Sequence, residues 1–116
     1  VMEYNNNFKY DLAIGQAEEI WLGDLLKGAK LEVKRDFKST KTGNIYVEYE
    51  CRGKPSGVST TEADYWAFIL NGERVIIVPT DFLKDLCRYY YEQGKTAKGG
   101  DGNFSMGVLL PTSKLV

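Results

Sequence analysis

Apolar residues recur at helical spacing over residues 10–27, where Leu12, Ala13, Ala17, Ile20, Trp21 and Leu25 share one side and Gly28 supplies a stop. The period then drops to two. Over residues 30–38, Leu31, Val33 and Phe37 alternate with Lys30, Glu32, Lys34, Asp36 and Lys38. Over residues 44–52, Ile45, Val47, Tyr49 and Cys51 alternate with Tyr46, Glu48, Glu50 and Arg52. Two such runs joined by Ser39-Thr40-Lys41-Thr42-Gly43 predict a β-hairpin, closed by a three-residue loop Lys41-Thr42-Gly43 with Gly43 left-handed. Residues 52–61 read as a loop around Pro55 and Gly57, opening into a helical turn at 60–63. Strands at 65–70 and 74–78 flank Asn71-Gly72, the strongest short-range hairpin signal in the chain. Pro79-Thr80-Asp81 ends the second of these strands and caps a helix over residues 82–93, stopped by Gly94. A glycine-rich loop over 95–103 leads to a last short strand at 105–110, before Pro111.

The order helix, two strands, loop, two strands, helix, strand predicts an α+β (mixed α/β) domain: an N-terminal helix, a central and largely antiparallel sheet of about five strands, a C-terminal helix and a short last strand. With 116 residues the chain is expected to form one domain, residues 1–9 being a polar, Asn-rich candidate for a disordered tail. Apolar residues make up 43% and charged residues 27%, the balance of an ordinary soluble globule. No apolar run reaches the roughly 20 residues that a membrane span needs, and residues 1–9 lack the pattern of a signal peptide, so a cytoplasmic protein without a membrane partner is expected.

The chain has no histidine, which excludes Ser-His-Asp chemistry and histidine-rich zinc sites. Two cysteines, Cys51 and Cys87, lack metal-ligand spacing and read as small buried hydrophobes. Hydrolytic chemistry is therefore left to carboxylates, lysine, tyrosine or a hard metal ion. The predicted hairpin supplies such a set. With Gly43 at its turn, Asp36 falls opposite Glu48, Lys34 opposite Glu50, and Glu32 opposite Arg52. The first pair is of like charge, which destabilises a sheet unless a cation sits between. Two carboxylates on a rigid hairpin suit Mg²⁺ (or Mn²⁺), with a neighbouring lysine to orient water or offset charge. The same face also reads as plain solvated surface. Arg52, Lys54 and Ser56 form a basic, backbone-rich loop beside the acids, suited to phosphate contacts. Tyr89-Tyr90-Tyr91 reads as a helix face covering the sheet, and Trp66 as core. The glycines of residues 98–102 are not followed by Lys-Ser/Thr and a helix, so they do not form a phosphate-binding loop.

Glu32-Val33-Lys34-Arg35-Asp36 followed by Thr42-Gly43-Asn44-Ile45-Tyr46-Val47-Glu48 resembles a group of small phage and bacterial proteins in the PD-(D/E)xK nuclease superfamily. Pro55-Ser56-Gly57-Val58, Thr61-Glu62-Ala63-Asp64-Tyr65-Trp66, the strand at 75–78 and Gly99-Gly100-Asp101 resemble the same group, so the likeness spans residues 11–111. It implies a restriction-endonuclease-like core and a Mg²⁺-dependent endonuclease that hydrolyses phosphodiester bonds in DNA, including structured or branched DNA of repair and recombination, in the manner of Holliday-junction resolvases. On this resemblance Asp36 and Glu48 bind metal and Glu19 of the first helix joins them, with Glu18 as the alternative. Glu50 stands where the superfamily usually has lysine, and Lys34 could supply the displaced amine. A second alignment takes Glu32-Val33-Lys34 as the Glu-x-Lys motif and Asp24 as its aspartate. The expected partner is DNA, gripped by a homodimer, in the cytoplasm or, for a phage-encoded protein, in that of the host. The alternative is a catalytically inactive nucleic-acid-binding or assembly module on the same fold, which the missing Glu-x-Lys lysine favours.

Overall fold

The computed structural model describes residues 26–36, 39–70 and 74–115. Seven strands and two helices are defined among them: β1 (Leu31–Asp36), α1 (Ser39–Thr42), β2 (Asn44–Cys51), β3 (Lys54–Pro55), β4 (Tyr65–Leu70), β5 (Arg74–Pro79), α2 (Thr80–Glu92), β6 (Thr96–Gly99) and β7 (Ser105–Pro111). Short 3₁₀ turns lie at Gly57–Ser59, Asp101–Asn103 and Thr112–Lys114. The class is α+β, as expected, but the strands form two sheets where one central sheet of about five strands was expected. One sheet has the order β1-β4-β5 and the other β3-β2-β7-β6. The helix expected over residues 10–27 lies almost wholly outside the described residues. Its stop is within them: Gly28 has φ +75°. Among the described residues no helix is long and apolar enough to cross a membrane.

The principal correction concerns β1. It does not pair with β2 as a hairpin; it runs parallel to β4, with Lys34 beside Phe68 and Asp36 beside Leu70. The reason lies in β4, whose sequence Tyr-Trp-Ala-Phe-Ile-Leu is apolar on both faces and mostly buried. Such a strand is stable only as a central strand. β5 fills one edge, antiparallel and in register from Tyr65–Pro79 to Leu70–Arg74, and β1 fills the other. The intervening segment Ser39–Thr42 forms a helical turn, and Gly43, left-handed as expected at φ +75°, leads out of it into β2. β2 then pairs antiparallel with β7, setting Ile45 against Leu110 and Val47 against Val108.

These four side chains are buried together with Trp66, Phe68, Leu70, Ile76, Val78 and, from α2, Leu83, Cys87 and Tyr90, in one cluster. Helix α2 starts two residues before the expected position, at Thr80, whose hydroxyl donates to the Ala63 carbonyl. Of the three consecutive tyrosines only Tyr90 is buried, while Tyr89 and Tyr91 are exposed. Cys87 is buried as expected, whereas Cys51 is half-buried. The glycine-rich segment contains a strand that the sequence pattern does not announce, β6, paired with β7 from Thr96–Val108 to Gly99–Ser105. The helical turn expected at 60–63 occurs instead at Gly57–Ser59.

Candidate functional site

In the three-stranded sheet, alternation places Glu32, Lys34 and Asp36 on the same face as Trp66, Phe68 and Leu70, the face turned toward the core. Leu31 and Val33 take the opposite face and are exposed. In the four-stranded sheet, Tyr46 and Glu48 lie on one face with Gly107, Leu109, Ala97 and Gly99. Residues from both faces line one cleft of about 670 Å³, among them Lys34, Asp36, Asn44, Tyr46, Glu48, Trp66, Phe68, Lys98 and Gly99. Asp36 and Glu48 are thus brought to one cavity across two sheets. They do not oppose each other on adjacent strands, because β1 and β2 do not pair.

Each carboxylate is anchored. Asp36 accepts the backbone N–H of Ser39, the first residue of α1, on Oδ1 at 2.9 Å, and the Tyr46 N–H on Oδ2 at a longer 3.4 Å. Leu109, the β7 partner of Tyr46, donates its own N–H toward Lys95, so this pair of residues makes no mutual ladder bonds and the Tyr46 N–H points off the outer edge of β2. Asp36 occupies that open edge. Glu48 accepts the Ser56 hydroxyl on Oε2 at 2.8 Å. Gly57, at φ +56°, approaches the Glu48 carbonyl so closely that any Cβ there would overlap it. Lys34 stands 3.7 Å from Glu32 and 5.8 Å from the centre of the Trp66 ring, within cation–π range. Glu32 itself is not part of the cleft wall.

Glu50 does not reach this site. A bulge between Glu48 and Glu50 sets Glu48 beside Gly107 and Glu50 beside Met106, consecutive residues of β7. Consecutive strand residues face opposite ways, so Glu50 is turned to the other face of the sheet. The expected pairs Lys34–Glu50 and Glu32–Arg52 are absent for the same reason that the hairpin is. The bulge frees the Tyr49 carbonyl to accept from Ser56 N–H and the Ser59 hydroxyl. It also sets the Tyr49 ring edge-on to Tyr91, 5.3 Å between centroids. Desolvation, then Tyr91, Glu50 and Tyr46, push the Tyr49 phenol above its ordinary pKa. Of the loop residues expected to bind phosphate, Ser56 holds Glu48, while Arg52 and Lys54 are exposed. Glu18, Glu19 and Asp24 lie outside the described residues, and among the described residues no three Asp, Glu or Cys side chains gather as a metal cluster.

Tyr46 is the lining residue that the sequence pattern missed. Its ring lies against the sheet where Gly99 and Gly107 have no side chains; a Cβ on Gly99 would stand 2.7 Å from the ring, and one on Gly107 would overlap it. Its hydroxyl shares a hydrogen bond of 2.7 Å with the buried Ser105 hydroxyl. The available signal was Gly107 itself, an isolated glycine inside an apolar strand, which marks close approach of another group. Comparison with family models, with curated proteins and with solved structures finds no match.

Proposed function

We propose that this chain is a Mg²⁺-dependent endonuclease acting on DNA, with Asp36 and Glu48 as metal-binding carboxylates and Lys34 as the cation of the same cleft. One observation carries the reading: residues 34, 36 and 48, from strands of two different sheets, line a single cavity. Mg²⁺ takes one or two carboxylates and completes its shell with water and substrate phosphate, so two acids suffice. Bound there, the ion would lower the pKa of a water and neutralise charge on the phosphodiester. Ser56 and Ser39 hold the two carboxylates in place, which fixes their orientation before substrate arrives. The Lys34 ammonium, held between Glu32 and Trp66, offsets charge as the leaving oxygen departs. Glu19 or Glu18 would complete the acid set. The same proposal includes a variant restriction-endonuclease-like core whose acids meet across a cleft, structured or branched DNA as substrate, a homodimer to grip it, and the cytoplasm as the place of action.

A second reading, a nucleic-acid-binding or assembly module without catalysis, is favoured by the turning-away of Glu50. Incubating the purified chain with branched, duplex and single-stranded DNA and with RNA, in Mg²⁺ and Mn²⁺, separates the two. Cleavage of DNA by the wild type and none by Asp36→Asn/Glu48→Gln supports the nuclease. Binding without cleavage by the wild type leaves the module, and equal cleavage by both proteins sinks the site.

A further inference from the structure

The four-stranded sheet ends in a feature that the cleft does not use. Beyond the last ladder pair, Cys51–Ser105, the Arg52 N–H donates to the Phe104 carbonyl at 2.9 Å, tying the β2–β3 turn to the turn before β7. The Arg52 guanidinium carbon sits 4.3 Å from the centre of the Phe104 ring. Phe104 is nonetheless 52% exposed, and Arg52 is exposed as well. The backbone here is strained: Arg52 (φ 53°) and Asn103 (φ 58°) are the two residues other than glycine with positive φ among the described residues. Gly102 completes the arrangement, because a Cβ there would stand 2.6 Å from the Phe104 ring. Left-handed backbone at residues other than glycine is costly and concentrates where a side chain must be aimed.

We propose that the Arg52–Phe104 stack is a seat for an unpaired nucleobase, so that the substrate class is DNA carrying a single-stranded segment beside the point of cleavage. This rests on the nucleic-acid reading above. The Phe104 ring lies against the guanidinium and the Gly102 backbone crowds that ring; the exposed remainder of the guanidinium and its N–H edge are the surface offered. Bases splayed out of a helix stack on arginine planes as they do on aromatic rings, whereas a paired base inside a duplex cannot present its face. Exposed Lys54, two residues on, supplies charge for the adjoining phosphate. Arg52 follows Glu48 by four positions, at most about 13 Å at ~3.3 Å per residue, so the base seated at Arg52 is a few nucleotides from the acids. Ser105, next to Phe104, bonds Tyr46 of the cleft wall and links the two places through the sheet.

The test is binding in EDTA, without cleavage, of a labelled oligothymidylate and of a blunt hairpin duplex of equal length. A 2-aminopurine version of the single strand reports stacking by loss of its fluorescence. Wild type should favour the single strand and quench the probe. Arg52→Lys keeps the charge and loses the plane; Phe104→Leu keeps apolar bulk and loses the ring beneath. Each should bind the single strand about tenfold more weakly, abolish the quenching and leave duplex affinity within about twofold. A wild type that binds neither probe, an Arg52→Lys protein that binds the single strand as well as wild type, or equal losses on both probes would overturn the proposal. The expected pattern in a wild type that never cleaves would overturn the nuclease alone and leave the base seat standing.

Discussion

Replacing Asp36 by asparagine distinguishes two arrangements of the acids by the sign of its effect on stability. Were Asp36 directly opposed to Glu48 on a hairpin, removing one charge would relieve repulsion and stabilise the metal-free protein slightly. In the structure Asp36 instead accepts N–H groups from Ser39 and Tyr46 on its two oxygens. Asparagine has one carbonyl oxygen. That oxygen can still accept from Ser39, but the amide then faces the Tyr46 N–H, a donor against a donor. A hydrogen bond to a charged group contributes ~1.5–3 kcal/mol. The Tyr46 bond is long and the site half-buried, so about 1 kcal/mol is the expected loss for Asp36→Asn. Asp36→Ala also loses the Ser39 bond, worth ~1 kcal/mol, and should cost about 2 kcal/mol. Urea unfolding in EDTA measures both; at a slope near ~1.5 kcal/mol/M the midpoints should fall by about 0.7 and 1.3 M. An unchanged or raised midpoint for Asp36→Asn would refute the Tyr46 N–H bond as a stabilising contact of the Asp36 carboxylate. Cleavage assays on the variant belong at a temperature where it is fully folded, so that lost activity reports the lost ligand.

Mg²⁺ or Mn²⁺ should raise the melting temperature of the wild type, by the equivalent of ~2.7 kcal/mol at a hundredfold excess over Kd, and leave Asp36→Asn/Glu48→Gln unmoved; equal shifts in both would place the ion elsewhere. Gly107→Ala should cost about 1–3 kcal/mol by driving a methyl into the Tyr46 ring, and Tyr46→Ala in the same chain should remove much of that cost. Strict additivity in chemical denaturation would refute the contact. Burial pushes the Cys87 thiol from 9.0 up to about 12. The unfolded chain therefore loses its proton first, and stability that is intact below about pH 9 should fall as the pH rises from there toward 12. The Tyr49 phenol, shifted in the same direction, adds to the decline above its ordinary value of 10.0. Denaturation midpoints measured from pH 8 to 11 should flatten in Cys87→Ala, and a slope identical to wild type would remove Cys87 as a cause.

What the sequence determined by itself was local. The strand-forming runs at residues 65–70 and 74–78 and the Asn71-Gly72 pair between them announce the β4–β5 hairpin, and the structure pairs those strands with residues 71–73 between Leu70 and Arg74. Gly94 ends α2 and Gly43 opens β2, both left-handed, because a chain that must turn there needs a residue without a side chain. Residue type and period also singled out Lys34, Asp36 and Glu48, which the structure brings to the wall of one cleft. Their meeting place was not. A period of two says that a strand has two faces; it does not say which strand lies beside it. β4, apolar on both sides, needed two neighbours, and that demand, made some 30 residues down the chain, drew β1 away from β2. Nor could alternation reveal the bulge after Glu48, which depends on register against β7 and turns Glu50 out of the cleft. β6 escaped notice because Gly99 lowers strand propensity where the tertiary structure requires a bare surface, so that the Tyr46 ring can lie flat against the sheet.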